Sequence, residues 1–148
     1  MIRLAKTNDL KDLVTLAKQV YGEFLSKHHI NFVEEDMNKL GIDLINADHV
    51  LILERDNKVV GMTAWSITGH PTNKDCKIFQ EILWCCNSEH KTDALLLLRA
   101  LEQKAKESNA NVIIMGHFTK ERMSAFDRIY KRMGYEFLEI QYSKSGRI

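Results

Sequence analysis

The chain has 148 residues, 45% hydrophobic and 28% charged, with 21 Lys plus Arg against 20 Asp plus Glu for a formal charge of +1. That length predicts a single domain over 1–148, able to bury about two thirds of its unfolded surface without disulfide or metal staples. The near-neutral balance removes the electrostatic case for nucleic acid, seven Gly and one Pro argue against disorder, and no apolar run approaches the ~20 residues of a membrane span.

Hydrophobic periodicity then divides the chain. Ile2 and Leu4 alternate with polar neighbours as a first strand. Thr7 or Asp9 can cap a helix whose Leu10, Leu13, Val14, Ala17, Val20, Tyr21, Phe24 and Leu25 form one stripe. His28 and His29 fall at its end, where the dipole favours a cation over any metal role. A second helix carries Val33, Met37, Leu40 and Leu44 on one face, with Gly41 as an interruption. Three β segments follow: Val50 to Glu54, Val59 to Thr68 after the turn Asp56-Asn57-Lys58, and Lys77 to Cys86 after a break at Gly69 to Asn73. Short connections predict antiparallel neighbours, with Trp65 and Trp84 packing the sheet.

Thr92 can cap a strong helix from Asp93 to about Ser108, and its first half, Ala94 to Leu98, reads as buried because it is apolar all round. Val112 to Gly116 is a short strand, expected parallel to its predecessor through a helical crossover. Thr119 can cap a last helix with Met123, Phe126, Tyr130 and Met133 inward, and Gly134 sits where a left-handed C′ residue belongs. Tyr135 to Tyr142 is the final predicted strand. The fold class is therefore α/β, in the order β-α-α-β-β-β-α-β-α-β, a mixed, mostly antiparallel sheet with helices on both faces.

Three cysteines without C-x-x-C spacing fit a reducing compartment, and no charged start leads into an apolar leader, so a cytoplasmic protein is expected. Cys85 and Cys86 are adjacent on a strand and point to opposite faces, so they cannot share a metal, and no metal site is predicted. No H-x-x-x-H pair, P-loop or Ser–His elbow occurs.

Four segments in this order carry a family likeness: Ile2-Arg3-Leu4-Ala5 through Asp9-Leu10; Asn57-Lys58-Val59-Val60-Gly61-Met62; Glu81-Ile82-Leu83-Trp84 through Ser88-Glu89-His90; and Tyr130-Lys131-Arg132-Met133-Gly134-Tyr135. The chain resembles the GNAT superfamily of N-acetyltransferases over nearly its whole length, and in tone its small bacteriophage-encoded members. The resemblance implies that the central strand splays at a bulge and that the pantetheine arm of acetyl-CoA adds to it like a strand. Leu83, Trp84, Cys85 and the rest of that strand to Cys86 would supply backbone partners. Lys91, Thr92, Asp93, Ala94 and Leu95 would meet the pyrophosphate at the next helix N-terminus. The family loop is usually Arg or Gln, two residues, Gly, one residue, then Gly or Ala. Here it reads His90-Lys91-Thr92-Asp93-Ala94-Leu95, with no Gly between Gly69 and Gly116. Ala94 can stand for the first Gly and Lys91 for the Arg, while Leu95 and Leu96 crowd the approach and Asp93 brings a charge that Lys91 must offset.

Transfer to an amine needs a base to free the nucleophile and an acid for the leaving thiolate. Glu81 is the first candidate base and His117 the second, at a strand's carboxyl end. Tyr130 matches the family's general acid, and an amide near Cys85 would bind the oxyanion. Met123 stands where the family often has Asn. The implied activity is acetyl transfer from acetyl-CoA to a small-molecule or peptide amine, with residues 23–49 shaping acceptor choice. Neither nucleic acid nor membrane is an expected partner, whereas a homodimer completing the sheet edge is. The rival class is a binding or structural module on the same frame, without the pyrophosphate loop.

Overall fold

The computed structural model describes residues 1–116 and 123–138. They fall into two compact units, one from Met1 to Ile114 and one beginning at Met115.

In the first unit, β1 (Ile2–Leu4) leads through a 3₁₀ turn at Thr7–Asp9 into α1 (Leu10–Lys27) and α2 (Glu34–Asn46). The meander β2 (Val50–Arg55), β3 (Lys58–His70) and β4 (Asn73–Cys86) follows. A second 3₁₀ stretch, Ser88–Asp93, enters α3 (Ala94–Glu107), and β5 (Val112–Ile114) closes the unit. The sheet runs β1-β2-β3-β4-β5 in sequence order. Its pairings are antiparallel except β4–β5, which is parallel, as the intervening helix requires. Asp56 and Asn57, at φ 49° and 60°, make the two-residue turn that suits a twisted hairpin.

Alternation along the strands builds two cores. Leu13, Leu16 and Ala17 of α1 and Leu44 and Ile45 of α2 bury Val50, Ile52, Met62, Ala64 and Cys85. The opposite face meets α3, whose Leu97, Leu98, Leu101 and Ala105 form its buried stripe. Helices therefore cover both faces of the sheet, as predicted.

Several expectations are corrected. The first half of α3 is not buried throughout: Leu95 and Leu96 are exposed, because only positions in step with Leu98 and Leu101 reach the sheet. Val33, which precedes α2, and Leu40 on it are exposed, and Gly41 does not interrupt the helix. Gly41 is buried against α1, where a Cβ would crowd Leu10 Cδ1 at 2.6 Å, so its missing side chain sets the helix–helix approach. Thr92 lies within the second 3₁₀ stretch and the residue preceding α3 is Asp93. The third strand begins at Asn73 and β3 runs to His70, so the break between them is only Pro71-Thr72.

In the second unit, α4 (Met123–Arg132) ends at Gly134, at φ +85° as expected of a C′ residue. The Tyr135 N–H donates to the Tyr130 carbonyl at 2.9 Å. Thr119 and the second half of the predicted strand 135–142 lie outside the described residues, and residues 135–138 are not assigned to a strand.

One ionic cluster fixes the start of the chain. Arg3 grips Asp9 with two N–H groups at 2.8 and 2.9 Å and Glu54 with two more at 2.7 and 3.1 Å. Asp9 also accepts from the Lys6 N–H at 2.7 Å, so it does not cap α1 with its side chain. The Arg3 guanidinium holds the Asp9 carboxyl below its ordinary value. A carboxylate depressed on folding stabilises above its unfolded pKa, and that contribution disappears as pH falls through the folded one. Arg3→Met should therefore lower stability at neutral pH and flatten the acid limb. In urea titrations taken from neutral to strongly acidic pH, wild type and variant should converge as pH falls through the depressed Asp9 value, below the ordinary carboxylate range.

Candidate functional site

The C-terminal half of β4 departs from regular pairing. Opposite β3, Trp65 faces Glu81 and Ala64 faces Leu83, so Ile82 is an extra residue. A bulge of this kind bends the strand and places two successive side chains together. Ile82 and Leu83 indeed both pack on the α1/α2 core. On the other edge, β5 pairs only with Ile78, Phe79 and Gln80. Among the described residues, β4 has no strand partner on that edge beyond Gln80.

Alternation determines which backbone groups face this free edge. The Trp65 N–H donates to His49 O at 3.1 Å, toward β2. Ala64 and Met62 therefore turn their amides toward β4, and Thr63, opposite Trp84, does not. The Asn87 N–H donates to Val60 O at 2.9 Å, which puts Asn87 and Cys85 on the β3 side. The outward amides are those of Trp84 and Cys86. Cys85, near which the oxyanion donor is expected, turns its own amide toward β3.

Both outward groups of Trp84 meet one atom. The Tyr21 hydroxyl donates to Trp84 O at 3.0 Å and accepts from Trp84 N–H at 3.2 Å. Tyr21 extends the α1 stripe one turn beyond Ala17, and its ring packs against the core. In the sequence it reads as another core position. Only the three-dimensional register of the bulge reveals what its hydroxyl reaches.

The connection to α3 is equally specific. Asn87 Oδ1 accepts from the His90 N–H at 3.1 Å and lies 2.8 Å from His90 Nδ1. The Ala94 N–H donates to Lys91 O within the 3₁₀ stretch. Trp84 Nε1–H donates to Ala94 O at 3.0 Å, tying the end of β4 to the first turn of α3. Asp93 does not depend on Lys91 for charge compensation, because Arg55 Nε donates to Asp93 Oδ2 at 3.0 Å. Arg55 ends β2, 38 residues earlier, and nothing in the local sequence pairs the two.

Glu81 immediately precedes the bulge and shares the face of Trp65. Cys85 is buried in the α1/α2 core, which pushes its thiol far above the usual range. Cys86 takes the α3 face; burial first, then the Asp93 charge, push its thiol up to about 11 against a smaller opposing effect of Arg55. The two cysteines stand on opposite faces as predicted. In the second unit, the Tyr130 hydroxyl donates to Gly116 O at 3.2 Å, and its ring stacks on Phe126 and meets Tyr135 edge-on. His117 lies outside the described residues.

No protein-family model and no curated protein sequence matches the chain. Solved structures do. A predicted acetyltransferase from Clostridium acetobutylicum with acetyl-CoA superposes with a TM-score of 0.73 at 18% identity, covering 98% of this chain and 95% of that one. AAC(6')-Iy, in complex with the bisubstrate analogue CoA-S-monomethyl-acetylneamine, gives 0.73 at 15% identity over 100% and 98%. A GNAT family acetyltransferase from Staphylococcus aureus gives 0.66 at 20% identity over 98% and 97%. The chain has the GNAT acetyltransferase fold. Within that fold, the bulge at Ile82 and the end of β5 pairing at Gln80 form the splay that the sequence resemblance implied.

This GNAT frame leaves little room at the β3–β4–α3 seam. A Cβ on Gly61 would lie inside the van der Waals envelope of Cys86 Sγ and within 3.0 Å of Leu97 Cδ1 and 3.2 Å of Cys85 O. Gly61→Ala should cost roughly 1–3 kcal/mol through overpacking, read as a lower denaturation midpoint at unchanged slope.

Proposed function

We propose that the protein transfers an acyl group from an acyl-CoA, acetyl-CoA in the first instance, to a primary amine. The observation that carries this reading is the edge of β4 past β5: a bulge at Ile82, no strand pairing beyond Gln80 among the described residues, and outward amides at Trp84 and Cys86. A pantetheine arm carries amides along an extended chain, and an open strand edge binds such a chain by main-chain hydrogen bonds. The complexes of similar structures with acetyl-CoA and with a CoA bisubstrate analogue support the same ligand class here.

The chemistry then follows from the residues. The amine nitrogen attacks the thioester carbon, a C–N bond forms, and the oxygen becomes an oxyanion. The Trp84 N–H, outward on the free edge, is the donor suited to it. Glu81, beside the bulge, is our candidate for the base that takes the amine proton, directly or through water. Collapse breaks the C–S bond, and Tyr130 is our candidate to protonate the departing thiolate. At the α3 entrance, Lys91, Thr92, Asp93, Ala94 and Leu95 are proposed to meet the pyrophosphate, with Arg55 neutralising Asp93. The acceptor we propose is a small-molecule or peptide amine; the similarity to AAC(6')-Iy, an aminoglycoside N-acetyltransferase, supports the first kind.

A non-catalytic module on the same frame is the second reading. The α3 entrance favours it: the Ala94 N–H is already used by Lys91 O, and the exposed Leu95 and Leu96 stand where bare backbone would suit a phosphate.

Thermal and chemical denaturation with acetyl-CoA separates the two. Micromolar affinity should add about 4 kcal/mol at millimolar ligand; no gain with either acetyl-CoA or CoA selects the module. For an active protein, Tyr130→Phe should lower kcat by about 10²-fold or more with little change in acetyl-CoA affinity. Equal losses in both would make Tyr130 a packing residue.

A further inference from the structure

One contact on this edge that the proposed reaction does not use is made by Tyr21. Its hydroxyl bridges the N–H and the C=O of a single residue, Trp84, at 3.2 and 3.0 Å. A neighbouring strand satisfies outward amide pairs in this way, with one acceptor and one donor. The phenol oxygen therefore acts as one residue of a neighbouring strand would, at a point on β4 that pairs with no strand on that edge among the described residues.

Resting on the acyl-CoA reading, we propose that Tyr21 is the gate of this edge: its phenol oxygen holds the place of the thioester carbonyl oxygen and leaves it when acyl-CoA binds. Three features build the gate. The extra residue Ile82 rotates Trp84 so that both its backbone groups face outward rather than toward β3. Ala17, one turn earlier and almost fully buried, lets α1 lie close to the sheet. The Tyr21 ring packs on the core but is only partly buried, which places its hydroxyl at the margin of that core. The bridge engages both backbone groups of Trp84 when no ligand is present, and it also competes with the ligand for that amide.

The test compares wild type with Tyr21→Phe, which keeps the ring and removes the bridge, and with Tyr21→Met, which removes the ring as well. Calorimetric titration with acetyl-CoA is paired with amide hydrogen exchange at Trp84. In the free variants, the Trp84 amide should exchange faster than in wild type. Tyr21→Phe should bind acetyl-CoA about five- to tenfold more tightly, the scale of one hydrogen bond no longer competed for. Binding by the variant and not by wild type supports the gate in its strongest form. Wild-type binding with equal or weaker affinity in Tyr21→Phe, or unchanged Trp84 exchange, overturns the gate and leaves the transferase reading intact. Absence of binding by all three proteins overturns both. Loss of cooperative unfolding in both variants also overturns the gate, since Tyr21 would then be a residue of the core.

Discussion

One additional residue in β4 organises the functional half of the sheet. Without Ile82 in excess, the pairing of Trp65 with Glu81 would continue in step and Trp84 would turn its amide toward β3. With it, Ile82 and Leu83 both enter the α1/α2 core, and the backbone beyond them presents hydrogen-bonding groups to the edge where β5 has stopped. The hydrophobic burial of two side chains thus sets the direction of a polar backbone. An edge of this kind is a liability in most proteins; here it is confined to a few residues and is met by a tyrosine.

The contact between α1 and β4 joins this edge to the rest of the first unit. The stripe Leu13, Leu16, Ala17 and Tyr21 begins as packing and ends in a hydrogen bond to the backbone of another element. On the opposite face, Trp84 reaches Ala94 with its indole N–H, and Arg55 reaches Asp93. The end of β4 is therefore held from α1 and from α3, and through Arg55 the entrance of α3 is tied to β2.

Much of this architecture is legible in the sequence, because strands and amphipathic helices announce themselves by period. The alternations from Val50 to Cys86 and the stripe from Leu10 to Leu25 correspond to β2, β3, β4 and α1. The misreadings have a common cause. Leu95 and Leu96 look buried because apolar character alone carries no direction, whereas the sheet selects only the face of Leu97, Leu98 and Leu101. Val33 and Leu40 mislead in the same way, since α2 faces the core through Gly41, Leu44 and Ile45. The site depends on quantities no single segment contains. A bulge is a difference in residue count between two strands, and the Arg55–Asp93 and Tyr21–Trp84 contacts span 38 and 63 residues. Asp9 and Asp93 both read as helix starters, yet each spends its carboxylate on an arginine from a strand.

The two thiols that follow Trp84 have a chemical consequence of their own. An activated acyl group laid along this edge would lie near sulfur nucleophiles of the protein itself, and exchange between thioester and thiol proceeds through the ionised sulfur. Burial withholds that form from Cys85, and burial with the Asp93 charge keeps Cys86 protonated up to about 11. Under the acyl-CoA reading proposed above, neither of these two thiols offers the ionised sulfur that self-acylation along the strand would need near neutral pH.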